Sequence, residues 1–197
     1  SSTASDSGDS SAAEEGETAT GGSGGTLNMR NTMEPTSLNT LLATYAYDFT
    51  PINAMIECLY RDDENDVPHP AAAESVDISE DGLTYTFHLR QGVTFHNGEP
   101  FNAEAVKTNL EHKQSNPSFY SLKGITDIQE IEVVDEYTIT LHYDHPFYAY
   151  LQDFCWPDVN PMSAPEYIIP GDFQTISGVA GTGPYIYCLL YTSPSPR

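Results

Sequence analysis

Residues 81–106 read DGLTYTFHLRQGVTFHNGEPFNAEAV, and they carry the clearest structural signal in the chain. Asp81-Gly82 is a turn dipeptide. Beyond it the chain alternates. Leu83, Tyr85, Phe87 and Leu89 fall on one side of an extended chain, and Thr84, Thr86, His88 and Arg90 on the other. A period of two predicts a strand with one face on a core. Residues 93–95 predict a second, short strand, and Asn97-Gly98 supplies the positive φ of a tight turn. Asn102 then predicts an N-cap, because its side-chain oxygen can accept from an orphan amide of the first helical turn. Ala103, Val106 and Leu110 share one face of the helix it opens.

Downstream, residues 128–134 and 137–143 flank Asp135-Glu136 and predict a second hairpin. In its second arm Tyr137, Ile139, Leu141 and Tyr143 alternate with Thr138, Thr140 and His142. Pro146 predicts the start of a short helix with Phe147, Tyr150, Leu151 and Phe154 inward. Residues 163–166 predict another helical turn. Residues 178–185 (GVAGTGPY) predict a crowded glycine-rich turn leading into a new strand.

Upstream, residues 61–70 are polar, contain two prolines and predict a loop. Thr50-Pro51 predicts a helix start, with Thr50 as N-cap and Pro51 in the first helical position. Ile52, Met55, Ile56 and Leu59 recur at helical spacing, and this helix is expected to end near Tyr60. Residues 26–31 predict a strand broken by Glu34-Pro35, and residues 37–44 a short irregular or helical piece. Strands and helices do not alternate strictly, so the expected class is mixed α/β (α+β).

The two ends are set apart from the fold. Residues 1–25 contain only Ser, Thr, Ala, Gly, Asp and Glu. They offer no large apolar side chain to offset ordering entropy, so a flexible tether is expected. Residues 188–197 (CLLYTSPSPR) read, codon for codon, as an in-frame translation of a transposase sequencing adapter, and a different continuation after Tyr187 is expected.

Lys and Arg number 7 against 29 Asp and Glu, a formal net charge of −22. Such an excess of acid argues against DNA, RNA or anionic lipid headgroups as partners. Cys58 and Cys155 are the cysteines outside the terminal ten residues. A disulfide between them is possible outside the cell, and two buried thiols are favoured. No zinc spacing appears among His69, His88, His96, His112, His142 and His145, so no metal site or cofactor is expected. Residues 178–183 lack the spacing of a phosphate loop, and no serine lies in GxSxG. Catalysis is therefore not expected.

Four stretches occur in a fixed order: EPTSLN (34–39), the 81–106 stretch, IEVVDEYTITL (131–141) and GTGPY (181–185). Together they resemble the extracellular solute-binding protein family 5, which supplies peptides and nickel to ABC importers. The resemblance implies a periplasmic-binding-protein-like lobe with an inserted sub-domain. Residues 26–58 would begin the first lobe, 59–173 would be the inserted sub-domain, and 174–187 the return to the first lobe. The second lobe would lie beyond.

It also implies a binding role: capture of short peptides or similar small solutes at the extracellular face or in the periplasm, by a monomer that delivers to ABC permease subunits. Membrane attachment would come only through a lipid anchor upstream of Ser1. In the loop 43–49, Thr44 matches a pocket-lining position, and Tyr45, Tyr47 and Asp48 lie close by. Trp156 is a further candidate for the cleft wall. Packing at the sub-domain seam is the alternative role for these side chains. Where nickel-binding members carry arginine, this chain has Pro157-Asp158-Val159-Asn160, a departure that counts against an anionic metal chelate. The rival readings are a peptide-pheromone receptor of the same fold, a nickel-chelate binder and a secreted hydrolase.

Overall fold

A computed structural model describes Met33 and residues 46–115, 122–156, 162–168 and 180–186, with backbone alone for 46–49. The expected tether, the strand at 26–31, the piece at 37–44 and residues 188–197 lie outside the described residues. The elements run α1 (Ala46–Met55), β1 (Tyr60–Asp62), β2 (Pro68–Pro70), β3 (Ala73–Ile78), β4 (Thr84–Leu89), α2 (Ala103–Gln114), α3 (Lys123–Thr126), β5 (Ile128–Asp135), β6 (Thr138–Tyr143) and α4 (Tyr150–Asp153). A 3-10 turn follows at Pro165–Tyr167. Strands β1 and β2 form a hairpin, and a four-stranded antiparallel sheet has the order β3-β4-β6-β5.

The alternation read in the sequence places β4 and β6 at the sheet's centre. Tyr85, Phe87 and Leu89 are buried on the inner face, alongside Ile139, Leu141 and Tyr143 of β6. They share one core with Ala103, Val106 and Leu110 of α2. Aromatic rings meet edge to face within it: Tyr85 and Tyr143 at 5.4 Å, Tyr60 and Phe87 at 6.1 Å. The outer face is polar. The hydroxyls of Thr86 and Thr140 lie 3.0 Å apart across β4 and β6. His88 and His142, on the outward rows of β4 and β6, meet Asp77 at 2.9 Å and Glu132 at 3.4 Å.

The helix cap is as read: the side chain of Asn102 accepts from the amide of Ala105 at 2.9 Å. Gly98 supplies the positive φ, +90°. Residues 93–95 make no strand, only a bridge between Thr94 and Pro100, because no further strand among the described residues pairs with them. Helix α3 is pinned from both sides. The carboxylate of Asp153 accepts from the amide of Gly124 at 2.7 Å, and the hydroxyl of Tyr143 donates to the Gly124 carbonyl at 2.8 Å. Cys58 and Cys155 are both buried and form no disulfide with each other.

Several boundaries differ from the sequence reading. Helix α1 begins at Ala46, four residues before Thr50, so Thr50 is no cap and Pro51 lies inside the helix. Pro51 has no amide to reach back four residues, so the helix lacks one bond at that point. The helix also stops at Met55, not near Tyr60. Ile52, Met55, Ile56 and Leu59 are nonetheless all buried, as their spacing requires. Residues 61–70 are not a loop but the arms and tip of the β1–β2 hairpin. Helix α4 starts at Tyr150, four residues after Pro146.

Lys113 of α2 is 3% exposed. Burial pushes its ammonium down to about 7, with Cys58 opposing part of that shift. An unfolded lysine titrates at about 10.4. Between these values the unfolded chain holds a proton that the folded chain has released, so stability rises with pH through that window. Below it both states are charged and the burial cost is fully present. Urea unfolding from about pH 7 to about pH 10 should show this rise, and Lys113→Met should flatten it. An equal slope in both proteins would assign the rise to other groups.

Candidate functional site

The site is built on the backbone of residues 54–60, where α1 gives way to β1. The amides of Ala71 and Ala73 donate to the Leu59 carbonyl, and that of Ala72 to Cys58. Tyr60 donates to Phe154, and Met162 donates to Glu57. Gly183 donates to Met55 at 3.0 Å and Tyr185 to Ala54 at 3.2 Å. Residues 180–186 therefore lie against the end of α1. The spacing of glycines allows this. A Cβ on Gly183 would meet the carbonyl carbon of Met55 at 2.7 Å and the Ala54 oxygen at 2.8 Å. The crowded turn read in the sequence is present over residues 180–186, and residue 187 onward, where the new strand is expected, lies outside the described residues.

Side chains fasten the same junction. One Glu57 oxygen accepts from the Arg90 guanidinium at 2.6 Å and from the Thr182 hydroxyl at 2.8 Å. His96 Nε2 lies 2.7 Å from the Gly183 carbonyl, so that nitrogen carries the ring proton. Arg90 Nε is buried and has no hydrogen-bond partner among the described residues. Beside this knot lies a cavity of about 490 Å³, with Glu57, Arg61, Asp62, Arg90 and Cys155 in its wall. Burial pushes the Cys155 thiol up to about 12, with Asp62 and Asp153 adding to the shift, so it stays protonated.

A second concavity of about 390 Å³ opens between the β1–β2 hairpin and α4, lined by Asp62, Asp66, Tyr148, Ala149, Gln152 and Trp156. Asp63 shapes its hairpin side. Its carboxylate accepts from the amides of Asn65 at 2.8 Å and Val67 at 3.1 Å, and lies 3.0 Å from His69 Nε2. The His69 contact first, then the two amides, hold the Asp63 carboxyl down to about 2. The turn leaves Asp66 at φ 58°, the left-handed region.

Of the residues read as ligand-binding, Thr44 and Tyr45 lie outside the described residues. Tyr47 and Asp48 fall in the first turn of α1, and their side chains lie outside the described residues. Trp156 lies in the second concavity, 48% exposed. The sequence reading missed Asp62, Asp66 and Tyr148. Tyr148 carried a usable signal: it falls between the inward positions Phe147 and Tyr150, and it is 95% exposed. The described residues hold no group of three or more His, Cys, Asp or Glu suited to a metal ion.

Residues 67–187 match the family described as bacterial extracellular solute-binding proteins, family 5, middle, and the chain belongs to that family. The fold is that of periplasmic binding proteins. Among solved structures, NikA from Brucella suis, in complex with Fe(III)-EDTA, matches with TM-score 0.64 and 28% identity over 81% of this chain and 30% of its own. DppA from Helicobacter pylori, in complex with peptide STSA, matches with TM-score 0.66 and 25% identity over 80% of this chain and 35% of its own. By sequence, the glutathione-binding protein GsiB of Pectobacterium atrosepticum is 39% identical over 120 residues, 57% of this chain. Its Salmonella typhi counterpart is 40% identical over 119 residues. The chain spans 22% of the length of these curated relatives.

Gly183→Ala should force the terminal segment off the end of α1. Overpacking of this kind costs about 1–3 kcal/mol. Urea unfolding should show that loss, and the amides of Gly183 and Tyr185 should exchange faster. Wild-type protection at both would show that the junction yields without cost.

Proposed function

We propose that this chain is part of the substrate-binding component of an ABC importer, capturing short peptides or similar small solutes outside the membrane without chemistry. The observation that carries the reading is the family match over residues 67–187. The peptide class is supported by the relatives: glutathione is itself a small peptide, and DppA was solved with one. NikA, in complex with Fe(III)-EDTA, marks the competing class. The absence of arginine in residues 157–160 and a net charge of −22 weigh against an anionic chelate here.

In this reading residues 26–58 begin one lobe, 59–173 form an inserted sub-domain and 174–187 return to the first lobe. A second lobe closes over the solute, and ABC permease subunits receive it. Thr44, Tyr45, Tyr47 and Asp48 form one wall of the pocket and Trp156 contributes to another. Tyrosine suits such a wall, since it offers a ring face and a hydroxyl donor together.

The test is calorimetry of full-length protein carrying this chain, titrated with a library of short peptides. Binding should be present, and Tyr45→Ala and Tyr47→Ala should each weaken it. Losing one hydrogen bond in a closed, dry cleft costs about 1–3 kcal/mol. Wild-type affinity in both variants would assign the loop to packing. Absence of any peptide binding would overturn the peptide class.

A further inference from the structure

We infer that the groove between the β1–β2 hairpin and α4 is a receptor for a cationic head group, the guanidinium of an arginine-containing peptide. The inference deepens the peptide-capture reading and rests on it for the molecule that carries the cation.

Two large aromatic side chains stand in the open at this groove. Tyr148 is 95% exposed and Trp156 48%. Their neighbours in the same stretch, Tyr150 and Phe154, are fully buried. Among the described residues, these two rings face solvent while their neighbours are enclosed. Opposite these two rings, on the hairpin itself, lie Asp62 and Asp66. Neither carboxylate takes part in an ion pair among the described residues, whereas Glu57, Glu111 and Asp127 each meet an arginine or a lysine. Asp66 is held in place before any ligand arrives. Its amide donates to the Asp63 carbonyl at 3.1 Å, the Asp63 amide donates to Val67 at 3.1 Å, and its own φ is 58°. Gln152 lines the same wall.

This set of groups selects by charge and shape. The faces of Trp and Tyr attract a cation through the ring quadrupole, Trp most strongly. Carboxylates meet a guanidinium with two parallel hydrogen bonds, and its flat, weakly hydrated surface stacks on an aromatic ring. An anion would face two like charges, with no cation among the described residues of the wall. A neutral sugar could stack on the rings but would gain nothing from the charge.

Trp156 is the only tryptophan in the chain, so its fluorescence reports the groove directly. The intact chain would be titrated with Nα-acetyl-arginine amide, with the neutral isostere Nα-acetyl-citrulline amide, and with maltotriose. Arginine amide should give a saturable change that weakens with added salt. Citrulline amide and maltotriose should bind at least roughly ten-fold more weakly. Asp62→Asn with Asp66→Asn should abolish the preference for arginine over citrulline. Asparagine tolerates the left-handed region, so the hairpin tip survives this change. Tyr148→Ala, at an exposed position, should weaken arginine binding by roughly three-fold, with the circular dichroism spectrum unchanged.

Equal binding of arginine and citrulline amides, a stronger response to maltotriose, or no saturable response at tens of millimolar would each overturn the inference. An unaltered preference in the double aspartate variant would do the same. These outcomes are separable from the importer reading. Full-length protein that binds neutral peptides but shows no arginine preference keeps that reading and removes this one.

Discussion

The backbone of residues 54–60 must leave its helix so that other segments can reach it, and the described part of the chain is organised around that need. Its carbonyls and amides are taken by residues 71–73, by Phe154, by Met162 and by Gly183 and Tyr185. Buried backbone groups left without partners would cost more than a few helical bonds gain. The helix therefore ends at Met55 although its apolar spacing continues to Leu59. Glu57 strengthens the same junction by accepting from Arg90, just past β4, and from Thr182. A fully exposed ion pair would contribute little. Here the two side chains are 37% and 28% exposed, and the shared carboxylate also fixes a hydroxyl, so geometry is the larger contribution.

The sheet supplies the rigid body behind that junction. Strand β4 pairs on both sides, and its inner row meets α2 and the aromatic residues around α4 in one core. Tyr150 stacks on Tyr143 at 3.9 Å between ring centres, and Phe154 lies 5.0 Å from Phe87. These contacts anchor α4, and with it the flanking Tyr148 and Trp156. The hairpin is anchored at its base by Tyr60, which donates to Phe154 and packs on Phe87. Both walls of the groove thus rest on the same buried aromatic cluster, which is how a site can keep its shape while its own side chains stand in solvent.

The features legible in the sequence are those with local causes. A period of two fixes which side of β4 and β6 faces inward, wherever the strand lies. Asn102 caps a helix through an amide three residues on. Features with remote causes were not legible. The end of α1 is set by partners far along the chain: the amide of Gly183 reaches the Met55 carbonyl, and that of Tyr185 reaches Ala54. The β1–β2 hairpin escaped because its arms are short, carry prolines and are mostly exposed, and its turn is organised by Asp63 rather than by glycine. Strand β3 escaped because it is an edge strand with Glu74, Ser75, Asp77 and Ile78 exposed, so no burial pattern marks it. Helix α3 spans four residues, has no side-chain cap and is held by Asp153 and Tyr143 from other elements. At the site, Trp156 stood out as the only tryptophan, but its acidic neighbours did not. Asp62 and Trp156 are remote in sequence, and only the meeting of hairpin and α4 joins them.

Selection of a solute must lie in side chains, because the fold alone does not choose one. Similar structures were solved with solutes as unlike as a peptide and an iron chelate. This chain carries 29 acidic residues against 7 lysines and arginines. A field of that sign raises the local concentration of cations and lowers that of anions before any contact is made. Bulk charge is screened within about 8 Å at physiological salt, so long-range attraction cannot by itself fix a ligand. Contact groups must finish the selection. Asp62 and Asp66 carry the same sign into a groove walled by two exposed aromatic rings, where a cation gains both from the carboxylates and from the ring faces. In the reading proposed above, the overall charge and the local groove favour the same class of head group.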